Sequence, residues 1–373
     1  MISRTLICIS FLILMSCTDH QRVRQTAGII DIGLMDVQEE EPRYAVQTII
    51  PLETTTDNLL GVNLIIKSLG ENVFVLDEDR KDAIYRFDQT GDFLGKVVQV
   101  GEGPGMLNNI TDFVADRDSL HVLVGRGDHS DIVKISLSDG NRKHLSLEGL
   151  GFSLSTSSDG DYLLYASYNL PLSNHRIIRF DPSGELVSRN LKNDYHNQML
   201  PMEEINFSKE GDQLFFKEAF NPVIYRIEED TIVPTYRFDH GSYAIPAKFW
   251  EVDIMQGFEM INQSGFADVY RHWESDRYAF FEVYIQSQEG VQNHQVLLDK
   301  KENSLSKKIM SRKDNNIFYR SAGFTAEDEL MFVTPANYLL QYAEQHTLDE
   351  QVRQIIETIE KEDNPVLLIC KLK

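Results

Sequence analysis

Cysteine is scarce in this chain of 373 residues, with only Cys8, Cys17 and Cys370. A disulfide scaffold is therefore excluded, and stability must come from burial. Positive charge is also short. Lys and Arg number 36 against 58 Asp and Glu, a formal charge of -22. A surface this negative repels phosphate backbones, so nucleic acid is not an expected partner. No segment beyond the first seventeen residues approaches eighteen uninterrupted apolar residues, so no membrane-spanning helix is expected there. What is present is ordinary globular material. At 42% hydrophobic and 10% aromatic the chain can build a packed core, which excludes disorder and collagen-like structure. Length alone suggests about two domains, a prior that internal repeats can overturn.

The first seventeen residues carry an address. Arg4 supplies a positive start and Leu6 to Met15 a short apolar run. Ten residues of helix rise only about 15 Å, too short for a hydrocarbon core of about 30 Å, so this is a signal peptide. The run ends in Leu14-Met15-Ser16-Cys17, which resembles a bacterial lipobox. That resemblance implies cleavage before Cys17, acylation of its thiol and new amine, and anchoring by several chains together. Residues 1–16 are then the lipoprotein signal peptide. Residues 17–42, polar and acidic, read as a tether in which Ile29 to Val37 can dock locally. Cys370, in the apolar run Val366 to Leu372, reads as a small buried hydrophobe rather than a nucleophile.

From residue 43 onward short runs of Val, Ile, Phe, Tyr and Leu alternate with Gly, Asp, Asn and Ser, a strand-and-turn signature. One hairpin is written twice: Ile84-Tyr85-Arg86-Phe87-Asp88, Gln89-Thr90-Gly91, Phe93-Leu94-Gly95, and then Ile178-Arg179-Phe180-Asp181, Pro182-Ser183-Gly184, Leu186-Val187. The glycine of each sits where the turn needs positive φ. Weaker copies start at Ile132 and Val223, so copies begin roughly 45 to 48 residues apart, the period of propeller blades. Two longer units follow, one from Phe266 and one from Ile317 to the end. Six units predict an all-β, six-bladed β-propeller over residues 43–373. Closure requires Tyr44 to Leu52 to join the sheet of Ile317 to Phe332 and Val366 to Leu372. A helical insertion is predicted before blade 5, with Pro246 in its first turn and Phe249, Val252, Met255 and Phe258 on one face. A second lies within blade 6, capped by Thr347-Leu348-Asp349-Glu350, striped by Leu348, Val352, Ile355 and Ile359, and stopped by Asn364-Pro365.

The lipobox, the segment Ile84 to Gly105 ending GEGPG, Trp273-Glu274-Ser275-Asp276 and the closing Asn364 to Lys373 together resemble the six-bladed β-propeller lipoproteins of Bacteroidota, related to NHL-repeat propellers. The likeness covers essentially the whole mature chain. It implies the fold and an envelope location, on the periplasmic or surface face of the outer membrane, and little chemistry. Met106 departs from it, standing where an acidic residue is usual.

Catalytic signatures are missing. GEGPG at Gly101 lacks the Gly-Lys-Ser/Thr ending of a phosphate loop and carries Glu102, so it reads as an inter-blade turn. Asp77 to Asp82 departs from calcium-loop spacing and contains two bases, and Ser157 to Asp161 reads as a hairpin turn. The ten histidines show no HExxH, and no G-x-S-x-G elbow occurs. The loops at one mouth of the propeller remain, with Arg126, Tyr168, Asn169, Lys217, Asn221 and Tyr284 as candidate ligand-binding residues suited to a sugar ring or an anion. The reading is a lipid-anchored envelope propeller that binds a glycan or an envelope protein without catalysis. It reaches the membrane through acylated Cys17 and needs no cofactor. The alternative is a metal-dependent lyase or lactonase with calcium or zinc on the axis.

Overall fold

A computed structural model describes residues 24–26, 28–41, 43–170, 172–193, 205–229, 231–311 and 316–372. The signal peptide and Cys17 lie outside the described residues. The described chain forms six sheets arranged as a six-bladed β-propeller. Blade 1 comprises Leu64–Leu69, Asn72–Asp77, Ala83–Asp88 and Phe93–Gln99, each strand antiparallel to the next. Blade 2 starts at Asp112–Asp116, blade 3 at Ser153–Thr156, blade 4 at Phe207–Glu210, blade 5 at Phe266–Glu274 and blade 6 at Arg320–Phe324. These first strands face the axis, and each packs against the first strands of its two neighbours.

The repeated hairpin works as its sequence requires. Asp88 Oδ1 accepts from the amides of Thr90 (2.8 Å) and Asp92 (3.0 Å). Asp181 Oδ1 does the same for Ser183 (2.8 Å) and Glu185 (3.0 Å). Gly91 and Gly184 take φ of +94° and +92°, and a Cβ on Gly91 would stand 2.0 Å from the Pro51 carbonyl oxygen. No side chain fits there.

A sheet with two apolar faces cannot stand alone in water, and the core is accordingly divided among the seams between blades. Leu76, Ile84, Phe113 and Val122 fill the seam of blades 1 and 2. Leu123, Ile132, Leu164 and Phe180 fill that of blades 2 and 3, and Tyr165, Ile177, Leu214 and Phe216 that of blades 3 and 4. Phe215, Tyr236, Phe281 and Val283 join blades 4 and 5. Phe280, Leu297, Phe332 and Leu368 join blades 5 and 6, and Val75, Tyr85, Val333 and Leu367 join blades 6 and 1. Cys370 is fully buried in this material, where burial pushes its thiol well above the ordinary range.

Closure is as expected. Tyr44–Pro51 forms the outer strand of blade 6, antiparallel to Val366–Leu372. Asn364 reinforces the join. Its amide nitrogen donates to the carbonyls of Glu53 (2.9 Å) and Asn58 (3.0 Å), and its Oδ1 accepts from the Leu60 amide (2.8 Å).

The segment expected to be a tether contributes structure from Arg24 on. Ile29–Gly33 adds in parallel to Ile232–Asp239, the outer strand of blade 4, and Arg24–Thr26 folds back on it, giving that sheet six strands. Ile32, Leu34 and Val37 are buried, so the apolar residues noted at Ile29 to Val37 dock as strand and turn. The chain then crosses to blade 5, where the Lys307 ammonium donates to the Leu34 carbonyl (2.9 Å) and Glu39 bridges Lys307.

The insertions differ in detail from expectation. Before blade 5, Pro246 precedes a short 3-10 turn, Ala247–Trp250, and helix α1 spans Ile254–Ser264. The chain breaks at Asp253, whose carboxylate caps the Met255 amide, and Met255 therefore points to solvent at 73% exposure. Within blade 6 two helices occur, α2 Ala336–Gln345 and α3 Glu350–Ile356. Asp349 caps α3, in place of the expected Thr347, because its carboxylate reaches the Gln351 amide (2.9 Å). Val352, Ile356 and Ile359 are buried against blade 6. No described helix is long and apolar enough to cross a membrane.

Ile49, 3% exposed in the closing strand, should cost about 2–5 kcal/mol on replacement by Ala, read from urea unfolding. Burial also lowers the rings of His121, His240 and His294 to about 4, and each has a ring nitrogen without a hydrogen-bond partner. The unfolded chain binds these protons from about pH 6.5 downward while the folded chain does not. Their contribution is thus complete above about pH 6.5 and lost as pH falls through about 4. The urea midpoint should drop over that window, and His240→Gln should flatten the drop.

Candidate functional site

The first strands of blades 1 to 5 open on one mouth of the axis, around a cavity of about 210 Å³. Alternation in Leu64–Leu69 sends Leu64 and Ile66 into the seam with blade 6, and Ile65 and Lys67 line the cavity. Blade 2 contributes Asp112, blade 3 Phe152 and Ser153, blade 4 Phe207, and blade 5 Tyr270. Asn63, Glu78 and Asp79 come from the loops beside blade 1.

The acids of this cup are engaged. Asp112 accepts from Ser153 Oγ and the Leu154 amide (both 2.8 Å) and from the Phe113 amide (2.7 Å). Burial raises its carboxyl above the usual range, against the pull of Lys67 and these donors. Asp79 takes both of its contacts from the Asn63 amide nitrogen, at 2.9 and 2.7 Å. Glu78 stands 3.6 Å from Arg271, an ion pair that reaches across the mouth from blade 1 to blade 5.

Arg271 is 3% exposed. A register shift between Val269 and Arg271 turns it toward blade 6, where it donates to the Ser321 carbonyl (2.8 Å). Its Nε lies 3.8 Å from Glu282 and has no hydrogen-bond partner. Glu282, whose carboxyl is raised by burial and lowered again by Arg271, accepts from the Ser321 amide (2.9 Å). Tyr270 therefore presents its ring to the cup with Arg271 5.1 Å and Lys217 6.0 Å from its centroid, both cation–π distances.

Five of the six residues singled out in the sequence gather behind this cup, on blades 3 to 5. Lys217 is buried beside Tyr270, and half-buried Tyr284 meets the Tyr270 ring edge-on at 6.1 Å. Tyr168 is buried too. Its hydroxyl donates to the Ala219 carbonyl (3.0 Å) and its ring packs on Trp250 at 5.0 Å, so the face expected to be open is covered. Asn169 follows it, 2% exposed with Oδ1 unpartnered. Asn221 donates to Glu218 (2.8 Å). Arg126 stands apart on blade 2, paired to Asp131 at 3.0 Å.

Sequence reasoning missed Lys67, Tyr270 and Arg271. The signal was available in Phe266–Glu274, where polar residues interrupt a strand whose companions are apolar. It also missed a buried chain of Ser208, His272 and Glu274, with Ser208 Oγ 3.0 Å from Nδ1 and Glu274 2.8 Å from Nε2. Phe215, Tyr236 and Phe281 pack around that imidazole. Tyr236 and Lys300 both donate to Glu274, so the group pins the seam of blades 4 and 5. Among the described residues no group of three or more His, Cys, Asp or Glu is placed to hold a metal ion. The acidic run at Asp77 is a turn, its carboxylate accepting from the amides of Asp79 and Gly61. GEGPG is likewise the link between blades 1 and 2, with Met106 packed over Gly101 and Gly103.

Six wedges round a polar axial cup define the class, a six-bladed β-propeller in which Tyr44–Pro51 and the final strand share one sheet. The chain belongs to the DUF4934 family, a domain of unknown function whose profile matches residues 47–371. A Bacteroides fragilis chain described as exported has the same fold, with TM-score 0.77 and 18% identity over 92% of this chain and 99% of its own. A Thermus thermophilus chain described as an oxidoreductase (glucose dehydrogenase) gives TM-score 0.45 and 10% identity over 88% and 100%. The extracellular domain of a hybrid two-component system protein from Bacteroides thetaiotaomicron gives 0.40 and 11% over 74% and 33%. Neither of these two bears on function. No curated protein matches the chain.

Arg176 and Glu218 join blades 3 and 4, paired at 2.9 Å with side chains 7% and 0% exposed. Glu218→Ala leaves the buried guanidinium without its carboxylate, and should cost about 3–5 kcal/mol in urea unfolding. Glu148→Ala, which removes the exposed partner of Arg189, should cost under about 1 kcal/mol.

Proposed function

We propose that this protein is a lipid-anchored propeller of the cell envelope whose axial cup binds an extracellular ligand without turning it over. The observation that carries the reading is the cup itself, a preformed concavity on a rigid scaffold with an aromatic wall and half-buried charge. At about 210 Å³ it is smaller than the about 300–1,000 Å³ of sites for drug-sized ligands. It suits a single ring or terminal group, such as the end of a glycan or one side chain of an envelope protein. Tyr270 supplies the stacking surface and Lys67 the charge. The candidate residues Tyr168, Asn169, Lys217, Asn221 and Tyr284 support the wall, and Arg126 lies apart at the end of the strand Ser119–Arg126 in blade 2.

The anchor is the acylated Cys17, on the outer membrane at its periplasmic or surface face. The lipobox-like Leu14-Met15-Ser16-Cys17 and the exported character of the Bacteroides fragilis relative support that location. Tyr270→Ala should weaken binding to an envelope-glycan array about tenfold or more, with the fold intact by circular dichroism. Product released on prolonged incubation with a bound glycan would refute the non-catalytic reading. Cys17→Ser should abolish palmitate labelling in cells and release the protein from membranes.

A further inference from the structure

The hydrogen-bonding state of the cup says which ligand chemistry it lacks. Its acids are occupied: Asp112 by three donors, Asp79 by Asn63, Glu78 by the loose pair with Arg271. Lys67 is the exception. Lys67 lines the cavity half-buried and makes no hydrogen bond or ion pair among the described residues. Arg271, behind Glu78, keeps a buried Nε with no acceptor. Buried or half-buried donors in this state call for acceptor oxygens carrying negative charge. One acceptor in the cup is also open, the buried Oδ1 of Asn63, whose amide nitrogen is committed to Asp79. An open acceptor calls for a hydroxyl donor. Tyr270 adds a flat face for a ring.

We propose that the axial cup binds a hydroxylated carboxylate of the size of one sugar-acid ring. The carboxylate meets Lys67, a hydroxyl donates to Asn63 Oδ1, and the ring lies on Tyr270. A monoanion is preferred to phosphate because three carboxylates share the cavity and the chain carries a formal charge of -22, and both penalise a dianion more. The assignment rests on the reading of the cup as the binding site.

The test is calorimetry on the mature protein with D-galacturonic and D-glucuronic acid, D-galactose and D-glucose, and inorganic phosphate. At least one acid should bind about tenfold or more tighter than its neutral counterpart, the scale of one charge-assisted contact. Lys67→Met should reduce the acid to the level of the neutral sugar, and Asn63→Ala should weaken both. Lys67 faces the cavity rather than a seam, so its replacement leaves the seams intact, and an unchanged circular dichroism spectrum verifies this. Equal binding of acid and neutral sugar, or an acid preference that survives Lys67→Met, overturns the carboxylate assignment and leaves the cup a sugar site. Tighter binding of phosphate than of either acid overturns it as well. Absence of binding by every sugar overturns both the assignment and the cup as a sugar site.

Discussion

Everything in this molecule depends on the pairing of Tyr44–Pro51 with Val366–Leu372. Blades have no independent core. Each seam is made of residues from two neighbours, and the seams of blade 6 exist only once the ring is shut. The join is made of more than ladder bonds. Asn364 gathers the loop after residue 52 through contacts to Glu53, Asn58 and Leu60, and Val366 to Leu368 go straight from it into the core. The closing Asn-Pro-Val-Leu thus has a physical meaning: a polar staple followed at once by an apolar strand. The strap through Leu34 and Glu39 ties blades 4 and 5 along their outer edges, so the N-terminal segment touches half of the ring.

The same geometry that shares the core makes the cup. Inner strands converge at the axis, where side chains from five blades face a space too small for them to fill with apolar bulk. Charged residues placed there must find partners across the mouth, as Glu78 and Arg271 do, or remain available, as Lys67 does. The larger groove on the flank, about 660 Å³ between the closing strand and the helices of blade 6, is of another kind. Its stacked Tyr342 and His346 lie on the outside of the ring.

The fold was legible because its turns are chemical. Asp88 and Asp181 show why Asp-x-x-Gly recurs, and the spacing of those hairpins counts the blades. The ends of helices were less legible. Asp253 and Asp349 out-compete the expected starts because a carboxylate one residue outside the helix reaches an orphan amide better than the upstream candidates do. The site was legible only in part. Loop residues on blades 3 to 5 could be selected for their chemistry, yet Tyr168 and Lys217 turn out to be walls, since burial depends on the inserted Trp250 and on Tyr270. Lys67, Tyr270 and Arg271 sit inside strands, where a periodic pattern says which face they share but not which blade lies opposite.

The six-stranded sheet of blade 4 has a consequence for how the molecule is born. Residues 29–33 wait for residues 232–239, and residues 44–51 wait for residues 366–372. A ribosome delivers these segments long before the strands they pair with, so the earliest strands spend most of synthesis without a mate. Such distant pairings are slow to form. The ring is therefore closed late, and the strand of residues 44–51 needs shelter until the final residues arrive.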